Sequence, residues 1–222
     1  MRRQPLLVTL IRHGQSVSNT VKRFGSQNNV PLSNIGRLQA SLAGEALANA
    51  RITRIITSDL SRASDTANAI GERTGINVEL APALRERDVG KLTGLTFAEA
   101  QTRHPDAYAD LLSGDPTRKI GGGESYADVA RRVDAFLRPV FKQTEGHLVL
   151  VSHMVVLTHL LRKACGVDER SLRGALTFAI ENTAFHRLSY DRPPRNHWHI
   201  FAINETAHLK SLQADDQLGQ PE

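Results

Sequence analysis

The chain has 222 residues, 40% of them hydrophobic and 23% charged, with a formal charge of +5. That length fits one globular domain with a buried core, and no apolar run approaches the roughly 18 residues of a membrane span. Cys165 is the only cysteine, which excludes an intrachain disulfide and makes the cytoplasm the expected compartment.

Arginine supplies 22 of the 28 basic residues. A basic balance suits nucleic acid, an anionic surface or phosphorylated small molecules. The arginines are scattered, with Arg2-Arg3 and Arg131-Arg132 the only adjacent pairs, and aromatics that could stack on bases make up 5%. The pattern therefore argues against nucleic acid. Met1-Arg2-Arg3-Gln4-Pro5 has the charge of a leader. The apolar run behind it is short and broken by Arg12, and no small-residue cleavage site follows, so it reads as a terminus leading into the first strand.

In chain order the elements alternate as β-α-β-α, the signature of a parallel sheet flanked by helices. Leu6–Ile11 is a buried strand. Gly36–Asn49 reads as a helix with Leu38, Leu42 and Leu47 on one face. Arg54–Thr57 is a second short strand, and Ser61–Thr74 a helix stopped by Gly75. Asn77–Leu80 is an edge strand whose exposure is compatible with a homodimer, although the sequence does not fix the oligomeric state. Arg85 to Gly123 is polar and rich in glycine and proline. It reads as an excursion with one or two short helices over the strand ends, the kind of segment that forms lids or substrate loops.

Ser125–Lys142 is the clearest helix. Val129, Val133, Phe136, Leu137, Val140 and Phe141 share one face, Ser125 and Asp128 form a capping box, and Pro139 is placed to kink the last turn. Leu148–Val151 is a buried strand, Val155–Cys165 a helix, and Thr183–Ser189 with His197–Ile203 an antiparallel pair. Ser211–Glu222 is polar and expected to be disordered.

Arg12-His13-Gly14-Gln15-Ser16 follows the first strand directly. Ligands of open α/β sheets bind beyond the carboxyl ends of strands. There a guanidinium can fork onto two phosphate oxygens, and a neutral imidazole can attack phosphorus. Gly14 would let backbone and substrate approach closely. Four features line up with this pair. Arg62 falls in the first turn of the helix after the second strand, where phosphate is already favoured. Glu86, in Leu84-Arg85-Glu86-Arg87, is a carboxyl group able to protonate a leaving oxygen if burial or bound phosphate raises its pKa, a shift its flanking arginines oppose. His153 ends the buried strand Val149-Leu150-Val151-Ser152 and can hydrogen-bond a phosphoryl oxygen. Asn19, one to two helical turns from His13, can donate its amide to the same anion.

These residues resemble the histidine phosphatase superfamily, in the branch that contains cofactor-dependent phosphoglycerate mutases and many small phosphatases. The match runs from Leu6 to about Leu209. Besides the residues above it includes Pro31-Leu32-Ser33 with Gly36, Ser58-Asp59-Leu60 with Ala63 and Thr66, Gly122-Gly123-Glu124-Ser125, and Asn204-Glu205-Thr206-Ala207-His208-Leu209. The resemblance implies a three-layer α/β/α fold, mostly parallel, in one domain over residues 1–210 with a helical insertion at about 85–123. It implies a metal-independent phosphomonoesterase with no cofactor, acting on a small phosphorylated metabolite. His13 would be the nucleophile, Glu86 the acid and then the base, and Arg12, Arg62, His153 and Asn19 the phosphate pocket. Where many relatives have glycine after the second histidine, this chain has Met154, whose backbone amide can still serve while its side chain makes the wall bulkier.

A mutase is the alternative within the family. Mutases carry a longer segment after the glutamate, with an arginine pair and a proline cluster that Thr96 to Gly121 lacks. A silent phosphate-binding protein would be expected to have lost one of the five core residues. A metal hydrolase would rest on His197 and His199, which have no third ligand at metal spacing. No P-loop, Gly-x-Ser-x-Gly elbow or dinucleotide fingerprint occurs.

Overall fold

A computed structural model of the chain describes residues 4–167 and 176–212. Its centre is a six-stranded sheet in the order β3-β2-β4-β1-β5-β6. The strands are β1 (Leu6–Arg12), β2 (Arg54–Thr57), β3 (Val78–Leu80), β4 (His147–Ser152), β5 (Phe185–Asp191) and β6 (His197–Glu205). The first four are mutually parallel, and β5 and β6 run antiparallel. The helices are α1 (Val17–Thr20), α2 (Asn34–Leu47), α3 (Ser61–Thr74), α4 (Phe97–Arg103), α5 (Pro105–Leu112), α6 (Tyr126–Gln143) and α7 (Met154–Ala164).

Alternation along the strands builds the three layers, because successive side chains point to opposite faces. Leu10, Ile56, Leu148 and Leu150 pack with Val129, Val133 and Leu137 of α6 and Val156, Leu157 and Leu160 of α7. Ile11, Ile55, Val149 and Val151 pack on the other face with Ala43 and Leu47 of α2 and Ala63, Ala67 and Ile70 of α3. Strands apolar on both faces are what a parallel sheet covered on both sides requires.

Several expected boundaries move. The helix expected from Gly36 starts at Asn34, because Ser33 Oγ accepts the Gly36 amide as its N-cap. Of the expected leucine stripe only Leu47 is fully buried. Leu38 is 54% exposed, and the core face is Gly36, Ala40, Ala43, Gly44 and Leu47. Small residues win here because α2 lies close against α3, where a Cβ on Gly44 would stand 2.6 Å from the Ala69 carbonyl. The expected pair from Thr183 begins instead at Phe185, and β6 extends to Glu205. Pro139 lies on the exposed side of α6, which continues to Gln143. The expected capping box of Ser125 and Asp128 is present.

The excursion forms a small core of its own, in which Val89, Leu92, Ala100 and Ile120 pack with Phe24, Tyr108 and Leu111. The expected edge strand β3 is three residues long, whereas β6 at the opposite edge has nine. Residues 213–222, most of the expected tail, lie outside the described residues. Among the described residues no helix is long and apolar enough to cross a membrane.

Candidate active site

β1 and β4 are parallel neighbours with Arg12 opposite Ser152. The strands end in register, so the two histidines that follow them stand side by side. His13 N–H bonds the Ser152 carbonyl at 3.0 Å, and the His13 and His153 rings lie 5.0 Å apart. Both are buried. His13 Nδ1 sits 2.7 Å from the Gly14 carbonyl, an acceptor only, so the ring proton resides on Nδ1. Nε2 then keeps its lone pair and accepts from Arg62 Nε at 3.3 Å. Burial first, then the charges of Arg62 and Arg12, hold the His13 pKa well below the usual imidazole value. The ring is neutral at physiological pH, with its unprotonated nitrogen among cations.

Gly14 makes a close backbone approach to the start of α2, where a Cβ would meet the Gly36 carbonyl oxygen at 2.5 Å. The Gly14 amide bonds Thr66 Oγ1 on α3, which ties the loop bearing His13 to the helix bearing Arg62. Arg62 is less free than a fork aimed at phosphate. Its Nη1 and Nη2 donate to the carbonyls of Asn28 and Ser26 at 2.9 and 2.7 Å. Arg12 Nη1 donates to the Ile180 carbonyl at 2.7 Å, while its Nε is buried with no partner among the described residues. Burial lowers both arginine pKa values, and the charge of Glu86 partly offsets this.

Glu86 Oε1 accepts the Arg87 amide at 2.8 Å and the Val155 amide, in the first turn of α7, at 3.3 Å. The carboxylate is thereby anchored beside His153 at a helix N-terminus. Of its two flanking arginines, Arg85 turns away to bond Asp59 through Nε at 2.7 Å and through Nη2. Asn19 is not on a helix that carries His13. It is the third residue of the separate short helix α1, where its Oδ1 accepts from the Ser16 amide and hydroxyl. Asn19 and Met154 both border a cleft of about 420 Å³, with Arg12, His13, Arg62 and Glu86 among its other walls. Met154 opens α7 and is 48% exposed.

Other residues of this region were given no role from sequence. Ser58, fully buried, lies 2.9 Å from His153 Nε2. Arg132 of α6 holds the loop bearing Glu86, donating to the carbonyls of Ala83, Arg85 and Glu86 and to Glu124. Arg87 borders the cleft, and its buried Nε has no partner among the described residues. Only the match at Ser58 and Glu124 gave a signal. Arg132 looked like one of two adjacent surface arginines. Among the described residues no group of three His, Cys, Asp or Glu could hold a metal ion.

A parallel sheet whose adjacent strand ends present two buried neutral histidines, arginines and a carboxylate defines an α/β phosphoryl-transfer protein. The chain belongs to the histidine phosphatase superfamily (branch 1), whose model matches residues 8–206. It is 33% identical over 217 residues to a Proteus mirabilis protein named "Probable phosphoglycerate mutase GpmB", covering 95% of this chain and 98% of that one. A mycobacterial glucosyl-3-phosphoglycerate phosphatase shares 30% identity and a TM-score of 0.78, covering 91% of this chain and 100% of that one. A structure of that phosphatase with inorganic phosphate superposes equally well, with TM-score 0.78 and 28% identity over 94% of this chain and 99% of that one. The phosphoglycerate mutase-like fold and phosphoryl-transfer activity follow from this membership.

Proposed function

We propose that the protein is a metal-independent phosphomonoesterase that works through a phosphohistidine at His13 on small phosphorylated metabolites. The observation that carries this reading is the His13 tautomer. The Gly14 carbonyl takes Nδ1–H, which leaves Nε2 unprotonated, its lone pair accepting from Arg62 Nε beside the cleft. In the first step His13 Nε2 attacks phosphorus, the bond from phosphorus to the alcohol oxygen breaks, and Glu86 gives that oxygen a proton. In the second step Glu86 takes a proton from water, the hydroxide attacks phosphorus, and the P–N bond breaks to release inorganic phosphate. Arg12, Arg62, His153 and Asn19 hold the equatorial oxygens, over which charge spreads in such transfers.

Hydrolysis is favoured over mutation by the short segment after Glu86, which lacks the mutase arginine pair. The relative named as a mutase keeps the second reading in play, and the relative named as a phosphatase supports the first. The test is phosphate release from a panel of phosphomonoesters in EDTA, with His13→Ala alongside. Wild-type turnover that vanishes in the variant supports the reading. Turnover that collapses in EDTA and returns with zinc overturns it. Production of 2-phosphoglycerate from 3-phosphoglycerate with 2,3-bisphosphoglycerate would favour the mutase.

A further inference from the structure

Ser58 follows β2 directly and has no exposed surface. Its hydroxyl oxygen accepts the Leu60 amide at 3.3 Å and lies 2.9 Å from His153 Nε2. A hydroxyl carries one hydrogen, and the amide can only donate. The hydroxyl hydrogen is therefore free to go to Nε2, and no other acceptor for it stands among the described residues. If Nε2 accepts, the single proton of a neutral imidazole sits on Nδ1. His153 is neutral, because burial, reinforced by the neighbouring His13 ring and the charges of Arg62 and Arg12, holds its pKa well below the usual value.

Nδ1 is itself buried and has no partner among the described residues. A buried N–H without an acceptor is costly, so such a group in a ring 5.0 Å from that of His13 points to a ligand atom. Arg12 Nε, on the neighbouring strand end, is also a buried donor without a partner. Arg12, next to His13 in the chain, and His153, 5.0 Å from it ring to ring, thus each bring an orphan donor that suits an anionic oxygen. The opposite tautomer would aim a lone pair at that oxygen and turn an attraction into a repulsion.

We infer that Ser58 is a positioning residue: by donating to His153 Nε2 it fixes the ring proton on Nδ1, where His153 donates to an oxygen of the transferring phosphoryl group. The identity of that oxygen rests on the phosphatase reading. The tautomer does not.

The test separates the two. In protein labelled with 15N-histidine, long-range 1H–15N spectra distinguish a protonated from a bare ring nitrogen, and His153→Gln assigns the signals. Wild type is expected to show Nδ1 protonated, and Ser58→Ala to move proton population to Nε2. Ser58→Thr, which keeps the hydroxyl, is expected to restore the wild-type pattern. In turnover, Ser58→Ala is expected to lower kcat by about 100-fold, the scale for losing one charge-stabilising donor, with a smaller change in KM and recovery in Ser58→Thr. A wild-type proton on Nε2 overturns the inference, and this needs no variant to fold. An unchanged tautomer in a folded Ser58→Ala overturns it too. The expected tautomer shift in a protein that hydrolyses no phosphomonoester upholds the positioning role and removes the phosphatase reading instead.

Discussion

The two ends of the cleft are built differently. One end, which the proposed mechanism gives to the phosphoryl group, stands on strand termini, where the register of β1 against β4 sets His13 beside His153. The other, which it gives to the leaving alcohol, stands on loops, where Glu86 is placed by α7's first turn and by an arginine from α6. Strand ends are rigid and shared by many sites on one fold, whereas loops held by side chains can be re-aimed by single substitutions. In the proposed mechanism, the rigid end carries the chemistry common to all substrates and the loop end carries the choice among them.

That contrast predicts variants of graded severity. His13→Ala removes the nucleophile and is expected to lower kcat/KM by on the order of 10⁵-fold, measured as phosphate release. A variant within tenfold of wild type would end the contrast, because the rigid end would then not carry the reaction.

Arg132→Ala strikes the loop end. It strips donors from the carbonyls of Ala83, Arg85 and Glu86 and leaves Glu124 with a charge that Arg132 no longer meets. Stability should drop by about 3 kcal/mol in urea unfolding. Turnover should fall more for alkyl phosphates than for p-nitrophenyl phosphate, whose leaving group needs no acid. Equal losses on both would detach Arg132 from Glu86.

The histidines also couple the fold to pH. His186 is fully buried, and burial holds its pKa at about 4 rather than the ordinary 6.5. Its folded pKa is depressed, so the unfolded chain binds the proton first. The contribution is intact above pH 6.5 and is lost as pH falls toward 4, by roughly 3 kcal/mol in all. His13, His147 and His153 are lowered as well, also chiefly by burial, and act in the same direction. His186→Phe should flatten the slope of unfolding free energy between pH 6.5 and 4, and an unchanged slope would discard this assignment. In the free enzyme the same neutral His13 puts the acid limb of kcat/KM below pH 6.5, read from the pH–rate profile.

The smallest effect is expected at Met154, half exposed at the cleft wall. Met154→Gly should shift preference toward bulkier esters by about tenfold or less, the range for a change in an apolar wall. A shift toward smaller ones would place the alcohol elsewhere.

Sequence reading reached the rigid end further than the loop end, for a physical reason. Leu6–Ile11 and Val149–Val151 are largely apolar runs with a histidine two residues beyond each, and such runs in a βα pattern place both histidines at one sheet edge. The face of α2 was misread because Leu38 outranks Gly44 in hydrophobicity, although only small residues permit the contact with α3. Arg132's hold on the Glu86 loop could not be read because those partners are backbone carbonyls some 46 to 49 residues away. The carbonyl contacts of Arg62 were hidden likewise, since its acceptors are loop carbonyls with no side-chain signature.

The central claim is that His13 Nε2 carries the phosphoryl group. Wild-type enzyme mixed with a turned-over phosphomonoester, quenched in alkali within milliseconds and digested, should yield a phosphorylated peptide containing His13. The modification should be lost in acid and absent from His13→Ala. Turnover with no phosphoryl group on His13 at any quench time, or with the label on His153, would contradict the account.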